Sequence, residues 1–170
     1  MATRAESPAL VQLLDALNEA SIPFMLAGMS AANLQGVLAT TVDVDIWIGL
    51  PSRQYMRVVN VCHRLGATLR SPNKVYLADD TPVDFIYEVT GLASFQREMP
   101  KARWLDFHGR RIPVMPLELI RRSKIAADRD KDKLHVLLIN QLLKCRRAAA
   151  SPGKAAARQP GAHKRRRRRP

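Results

Sequence analysis

Asp43 and Asp45 stand two residues apart in the stretch Val42-Asp43-Val44-Asp45-Ile46-Trp47-Ile48, which reads as a short strand of β-branched and aromatic residues. Side chains alternate across a strand, so the two carboxylates point one way and Val42, Val44 and Ile46 the other. Two acids on one strand face repel each other unless something positive lies between them. A hard divalent cation held by carboxylate oxygens is the usual resolution. A third acid, Asp84, sits mid-strand between Val83 and Phe85, where an unpartnered carboxylate is costly to bury. Upstream, Gly28-Met29-Ser30 follows an apolar strand and leads into a helix, so backbone N–H groups and a hydroxyl offer a seat for a phosphate. Each signal alone has a plain structural explanation: a turn, a solvated strand face, an edge residue. In this order they describe a cation site beside an anion site.

The elements that must position these groups follow from the hydrophobic spacing. Ser7 suits a helix N-cap with Pro8 at the first helical position, and Leu10, Leu13, Leu14 and Leu17 form a core-facing stripe to about Ala20. Phe24 to Ala27 is a short apolar strand, Gly28-Met29-Ser30 the turn after it, and Ala31 to Gln35 a short helix closed by Gly36. The two-aspartate strand runs from Val42 to Ile48. Ser52 caps a helix through His63 to the stop at Gly66, and strands follow at Ala67–Arg70, Lys74–Ala78 and Val83–Tyr87. A helical turn is expected near Phe95, then a hairpin from Trp104 to Val114 turning at Gly109. Pro116 opens a further helix, and Leu134 to Leu143 forms a last apolar one. Strand–helix alternation around a small mixed sheet makes the fold α+β (or α/β).

With 170 residues and 46% hydrophobic content, the chain has room for one domain with a real core. Its apolar runs are too short to span a bilayer, and its first residues lack the apolar core of a secretory signal, so a cytoplasmic location is expected. Cys62 and Cys145 have no spacing for metal or redox work and read as reduced thiols. The net charge of +13 is unevenly placed. Ten basic residues and no acid fall between Arg146 and Pro170, which leaves 18 basic and 15 acidic residues elsewhere. The expected division is a body over residues 1–147 and a disordered Arg-rich tail over 148–170.

The order Gly28-Met29-Ser30, Gly36, Thr41-Val42-Asp43-Val44-Asp45-Ile46, then Val83-Asp84-Phe85 resembles the nucleotidyltransferase superfamily of DNA polymerase beta. More narrowly, it is similar to small prokaryotic nucleotidyltransferase-like proteins that include the toxin halves of abortive-infection systems. Leu119-Ile120, Lys124, Ala126-Ala127 and Arg129-x-Lys131-Asp132 resemble the helices that close those proteins, so the likeness runs over roughly residues 8–143. The resemblance implies transfer of a nucleoside monophosphate from a nucleoside triphosphate to a hydroxyl acceptor. Two Mg²⁺ ions would be held by Asp43, Asp45 and Asp84, with Asp84 also a candidate to take the nucleophile's proton. Gly28 and Ser30 would hold the outer phosphates. Lys124, together with Arg129 or Lys131, would neutralise the triphosphate. Lys74 is a further candidate because it precedes an apolar strand. Two positions depart from the pattern: Met29 stands where a second Gly is usual, and Ala39 where an Arg is usual.

The acceptor stays open among tRNA or other RNA, a protein side chain and a small molecule such as an aminoglycoside. Arg165 to Arg169 could contact RNA or DNA phosphates, with no interleaved aromatic residues to read bases. A nucleoside triphosphate is the expected partner, with an antitoxin protein a further candidate and no membrane. The competing expectation is a catalytically silent module of the same fold that binds a nucleotide or a protein. His63, His108 and His135 have no partners at useful spacing, and Trp47 and Trp104 read as core or edge packing.

Overall fold

The structure, a computed structural model, describes residues 8–150. In chain order its elements are α1 (Pro8–Glu19), β1 (Phe24–Ala27), α2 (Gly28–Leu34), β2 (Val44–Ile48), α3 (Tyr55–Arg64), β3 (Thr68–Ser71), β4 (Lys74–Tyr76) and β5 (Pro82–Ile86). After these come α4 (Phe95–Glu98), β6 (Arg103–Phe107), β7 (Arg110–Val114), α5 (Leu117–Ala127) and α6 (Asp130–Ala149). The strands form one mixed sheet in the order β3-β4-β5-β2-β1-β7-β6. β2 runs antiparallel to β1 and parallel to β5, which puts the two acid-bearing strands side by side. The expected α+β architecture is the observed one.

Burial explains why these segments adopt these elements. Leu10, Leu13, Leu14 and Leu17 of α1 are all buried, and α1 packs on α3. All four residues of β1 are buried, as are Val44, Ile46, Trp47 and Ile48 of β2, so the central strands read as nearly continuous apolar runs. Trp47 is core: its indole N–H donates to the Tyr87 carbonyl at 3.2 Å and its ring meets Phe95 edge-on at 5.4 Å between centroids. Trp104 instead lies half-exposed on the outer strand β6. α2 packs on α5, and α5 on α6. No helix among the described residues is long and apolar enough to cross a membrane.

Several boundaries differ from the sequence expectation. Gly28-Met29-Ser30 is not a separate turn but the first turn of α2, because Gly28, at φ +60, makes the reversal by itself. β2 begins at Val44, so Asp43 lies in the bend before the strand, where the Thr41 hydroxyl donates to its carbonyl at 3.1 Å. α6 starts at Asp130, four residues earlier than the apolar run, and continues past residue 147 to Ala149. The alanines there favour helix more than any other residue. Ser7 and the Arg-rich stretch lie outside the described residues.

The segment between β5 and β6 is pinned by one buried carboxylate. Glu98 of α4 accepts from Lys101 at 2.6 Å, from Arg122 of α5 at 2.9 Å and from the Ala93 N–H at 3.2 Å. The Lys101 hydrogen bond leads the contacts that hold its pKa below the usual glutamate value. Replacing Glu98 by Ala leaves a buried gap and an unpaired Ala93 N–H, while the half-exposed Lys101 and Arg122 turn to water, and the expected loss in urea denaturation is about 2 kcal/mol. A loss below about 0.5 kcal/mol would show that the carboxylate is not the anchor.

Candidate active site

The backbone register brings the acids together. Asp45 of β2 is the lateral partner of Asp84 of β5, and Asp84 is in turn the lateral partner of Lys74 of β4. Laterally paired residues project to the same sheet face, so Lys74, Asp84 and Asp45 form a row across three strands. Asp43 joins it from the bend: the Lys74 ammonium lies 3.4 Å from Asp43 Oδ2 and 3.3 Å from Asp84 Oδ2. Slight burial works against the Lys74 charge, but the Asp84 and Asp43 carboxylates outweigh it and raise its pKa above the ordinary lysine value. No ion pair reaches Asp45 among the described residues. Burial first, then the neighbouring Asp84, push Asp45 up to about 6. Asp43 adds to this, and Lys124 and Lys131 pull the other way.

Gly28 makes this arrangement possible. Its φ of +60 is the left-handed conformation that glycine adopts without penalty, and a Cβ built there would overlap the Asp45 carboxylate. The first turn of α2 thus lies directly against the acid. No side-chain hydrogen bond caps α2, and its first N–H groups have no partner within the helix. Ser30 is placed differently from the expectation. It is buried and its hydroxyl donates to the Ala27 carbonyl at 3.1 Å, so it braces the turn and presents no side-chain donor to the cleft.

Opposite the acids, a cleft of about 150 Å³ is lined by Gly28, Asp45, Ile86, Ser123, Lys124 and Arg129, among others. Ile86, Ser123 and Arg129 also line an adjoining cleft of about 460 Å³ that includes Glu88 and Thr90. Glu88 and Thr90 continue into a third cleft of about 660 Å³ beside Trp47 and Phe95.

Lys124 and Arg129 are held by Asp132, which is 1% exposed and accepts from Lys124 Nζ at 2.8 Å and Arg129 Nε at 2.6 Å. Burial alone would raise its pKa, but these two donors hold it down at about 2. In the sequence Asp132 stood at the end of the Arg129-x-Lys131-Asp132 pattern without a role of its own, and its burial had no signal there beyond the three-residue spacing from Arg129. Lys131 is exposed and acts on Asp45 through space. Ala39 lies in the loop before β2, where its carbonyl accepts from Asn33 at 2.8 Å.

The three carboxylates suit a hard divalent cation by donor type and by their unresolved repulsion at Asp45. Among the described residues, however, no three acidic, His or Cys side chains close into a finished metal cage. The Lys74 ammonium lies against two of the three carboxylates.

An antiparallel β1–β2 pair beside a parallel β5, with acids on β2 and β5 and a glycine-led helix against them, is the core of the nucleotidyltransferase fold. The chain shares that fold with the antibiotic-resistance factor ANT(2'')-Ia in its solution structure, with a TM-score of 0.57, 18% identity, and 84% of this chain and 86% of that one covered. The crystal structure of ANT(2'')-Ia in complex with adenylyl-2''-tobramycin gives 0.56 and 18%, with 83% and 91% covered. The lincomycin-bound lincosamide antibiotic adenylyltransferase LnuA gives 0.54 and 13%, with 79% and 96% covered. The sequence matches no family model and has no significantly similar curated protein.

Two outcomes follow. A carboxyl whose pKa is raised on folding contributes full stability below its unfolded value, here 3.8, and that contribution is lost as pH rises through about 6. In EDTA, Asp45→Asn is therefore expected to match the wild type near pH 3 and to exceed it at pH 7, by up to about 3 kcal/mol in urea denaturation. Equal stabilities at both pH values would contradict the charge balance described for Asp45. Gly28→Ala should cost at least about 1–2 kcal/mol from the left-handed backbone alone, with further loss from the overlap with Asp45. An alanine variant as stable as the wild type would rule out this close approach.

Proposed function

We propose that the protein is a metal-dependent nucleotidyltransferase that moves a nucleoside monophosphate from a nucleoside triphosphate to a hydroxyl-bearing acceptor. The observation that carries this reading is the convergence of Asp43, Asp45 and Asp84 beside the Gly28 turn, with Lys124 and Arg129 across a narrow cleft. Asp43, Asp45 and Asp84 would hold Mg²⁺, which when bound supplies charge neutralisation and polarisation of the α-phosphate. The backbone N–H groups of the first turn of α2, which no side chain caps, would donate to the phosphates beside Asp45, which the missing Gly28 side chain lets approach. Lys124 and Arg129, fixed by Asp132, offset charge on the pyrophosphate as it leaves. The acceptor oxygen bonds to the α-phosphorus, the bond to the pyrophosphate oxygen breaks, and Asp84 takes the hydroxyl proton.

The adjoining clefts, of about 460 and 660 Å³, are of the size that small molecules occupy. The likeness to an adenylyltransferase for lincosamides, and to a protein captured with adenylyl-2''-tobramycin, favours AMP as the group moved and a small hydroxyl-bearing acceptor. RNA remains the second acceptor to test, on the strength of the basic run Arg165 to Arg169 in the sequence. The silent-module reading draws on Ala39, which supplies no cation beside β2.

The deciding experiment offers each α-labelled nucleoside triphosphate with Mg²⁺ to a panel of aminoglycosides, lincosamides and total RNA. Label transfer with pyrophosphate release is expected, reduced at least about 100-fold in Asp45→Asn. Metal-dependent nucleotide binding without transfer to any acceptor would favour the silent module. Nucleotide binding that ignores Mg²⁺ would end the enzyme reading.

A further inference from the structure

Lys74 is set into the acid row by backbone pairing. It is the lateral partner of Asp84 on the antiparallel β4–β5 ladder, and Asp84 is the lateral partner of Asp45 on the parallel β2–β5 ladder. Its ammonium reaches the Oδ2 atoms of both Asp84 and Asp43, at 3.3 and 3.4 Å, and does not reach Asp45. The two ends of the row therefore differ. At one end two carboxylates share a covalently attached cation. At the other, Asp45 faces the Gly28 turn and the narrow cleft with no ion-pair partner among the described residues.

A divalent ion bound to carboxylate oxygens sits about 2.0–2.6 Å from them. An ion on the Asp43 and Asp84 oxygens that Lys74 faces would press against the ammonium, and like charges at that separation repel strongly where water is partly excluded. The ion and the ammonium exclude each other at that end. Asp45, and the carboxylate oxygens that Lys74 does not contact, remain for a single exchangeable ion.

Resting on the transfer reading above, we infer that Lys74 is a built-in cation that replaces one of two divalent ions, so that the site takes one ion per chain at its Asp45 end. The ammonium fixes Asp43 and Asp84 in place whether or not metal is bound. The exchangeable ion is then left to the carboxylate that faces the cleft.

The test counts ions without relying on turnover. Full-length protein is saturated with a non-hydrolysable α,β-methylene nucleoside triphosphate, and bound Mn²⁺ is measured by equilibrium dialysis with electron paramagnetic resonance of the free ion. Wild type should bind one ion per nucleotide-occupied chain. Lys74→Met and Lys74→Gln, each checked for folding by circular dichroism, should bind two, and Lys74→Arg should remain at one. Two ions in the wild type would overturn the inference while leaving the transfer reading intact. One ion in a folded neutral variant would also overturn it, because Lys74 would not be what excludes the second. Nucleotide binding with no bound Mn²⁺ in any of the four proteins would remove the transfer reading itself, and this inference with it.

Discussion

Repulsion among Asp43, Asp45 and Asp84 is the constraint around which the rest of this molecule is arranged. Two of the acids are lateral partners on adjacent parallel strands, and the third lies in the bend that enters one of them. The sheet cannot relax this by moving them, because Val44, Ile46, Val83 and Phe85 are buried on either side of the acids along the same strands. The charge must be met from outside the pair. Lys74 meets it at one end, and Asp45 is left with a pKa near 6, the mark of an acid whose burial and neighbours are not fully offset.

The same constraint explains the closing helices. Lys124 is carried to the cleft by α5 and Lys131 by α6, and both lower the cost of ionising Asp45 through space. Lys124 does not collapse onto Asp45, because the buried Asp132 holds it at 2.8 Å and holds Arg129 at 2.6 Å. A fully buried carboxylate between two cations is expensive to assemble and strongly destabilising to break. Such a device sets cation positions more firmly than long, solvated side chains could. The cleft is thus built between two charge clusters of opposite sign that are kept apart, a geometry suited to a ligand that carries both a cation and a chain of phosphates.

Much of this was legible from residue types. Alternating apolar residues located β2 and β5, and the leucine stripe located α1, because burial on a strand or a helix leaves a period in the sequence. The acids of the site were legible for the opposite reason: Asp84 breaks an apolar run and so needs a cause. What periodicity could not give was lateral register. Lys74 looked like a residue beside a strand, and only the β4–β5 pairing shows that it faces Asp84. Ser30 looked like a phosphate donor because Ser and Gly share such turns, yet its hydroxyl is taken by the Ala27 carbonyl. Asp132 was indistinguishable from its exposed neighbours Asp130 and Lys131, since helix-start charges look alike until packing buries one of them.

The central claim is that the acid row, completed by Lys74, is a divalent-cation site beside a nucleotide cleft. Crystals grown with Mn²⁺ and a non-hydrolysable nucleoside triphosphate, measured at the manganese absorption edge, test it most directly. One anomalous peak is expected in contact with the Asp45 carboxylate and the triphosphate, with the Lys74 ammonium still between Asp43 and Asp84. Ordered triphosphate in the cleft with no anomalous peak at Asp45 would contradict it.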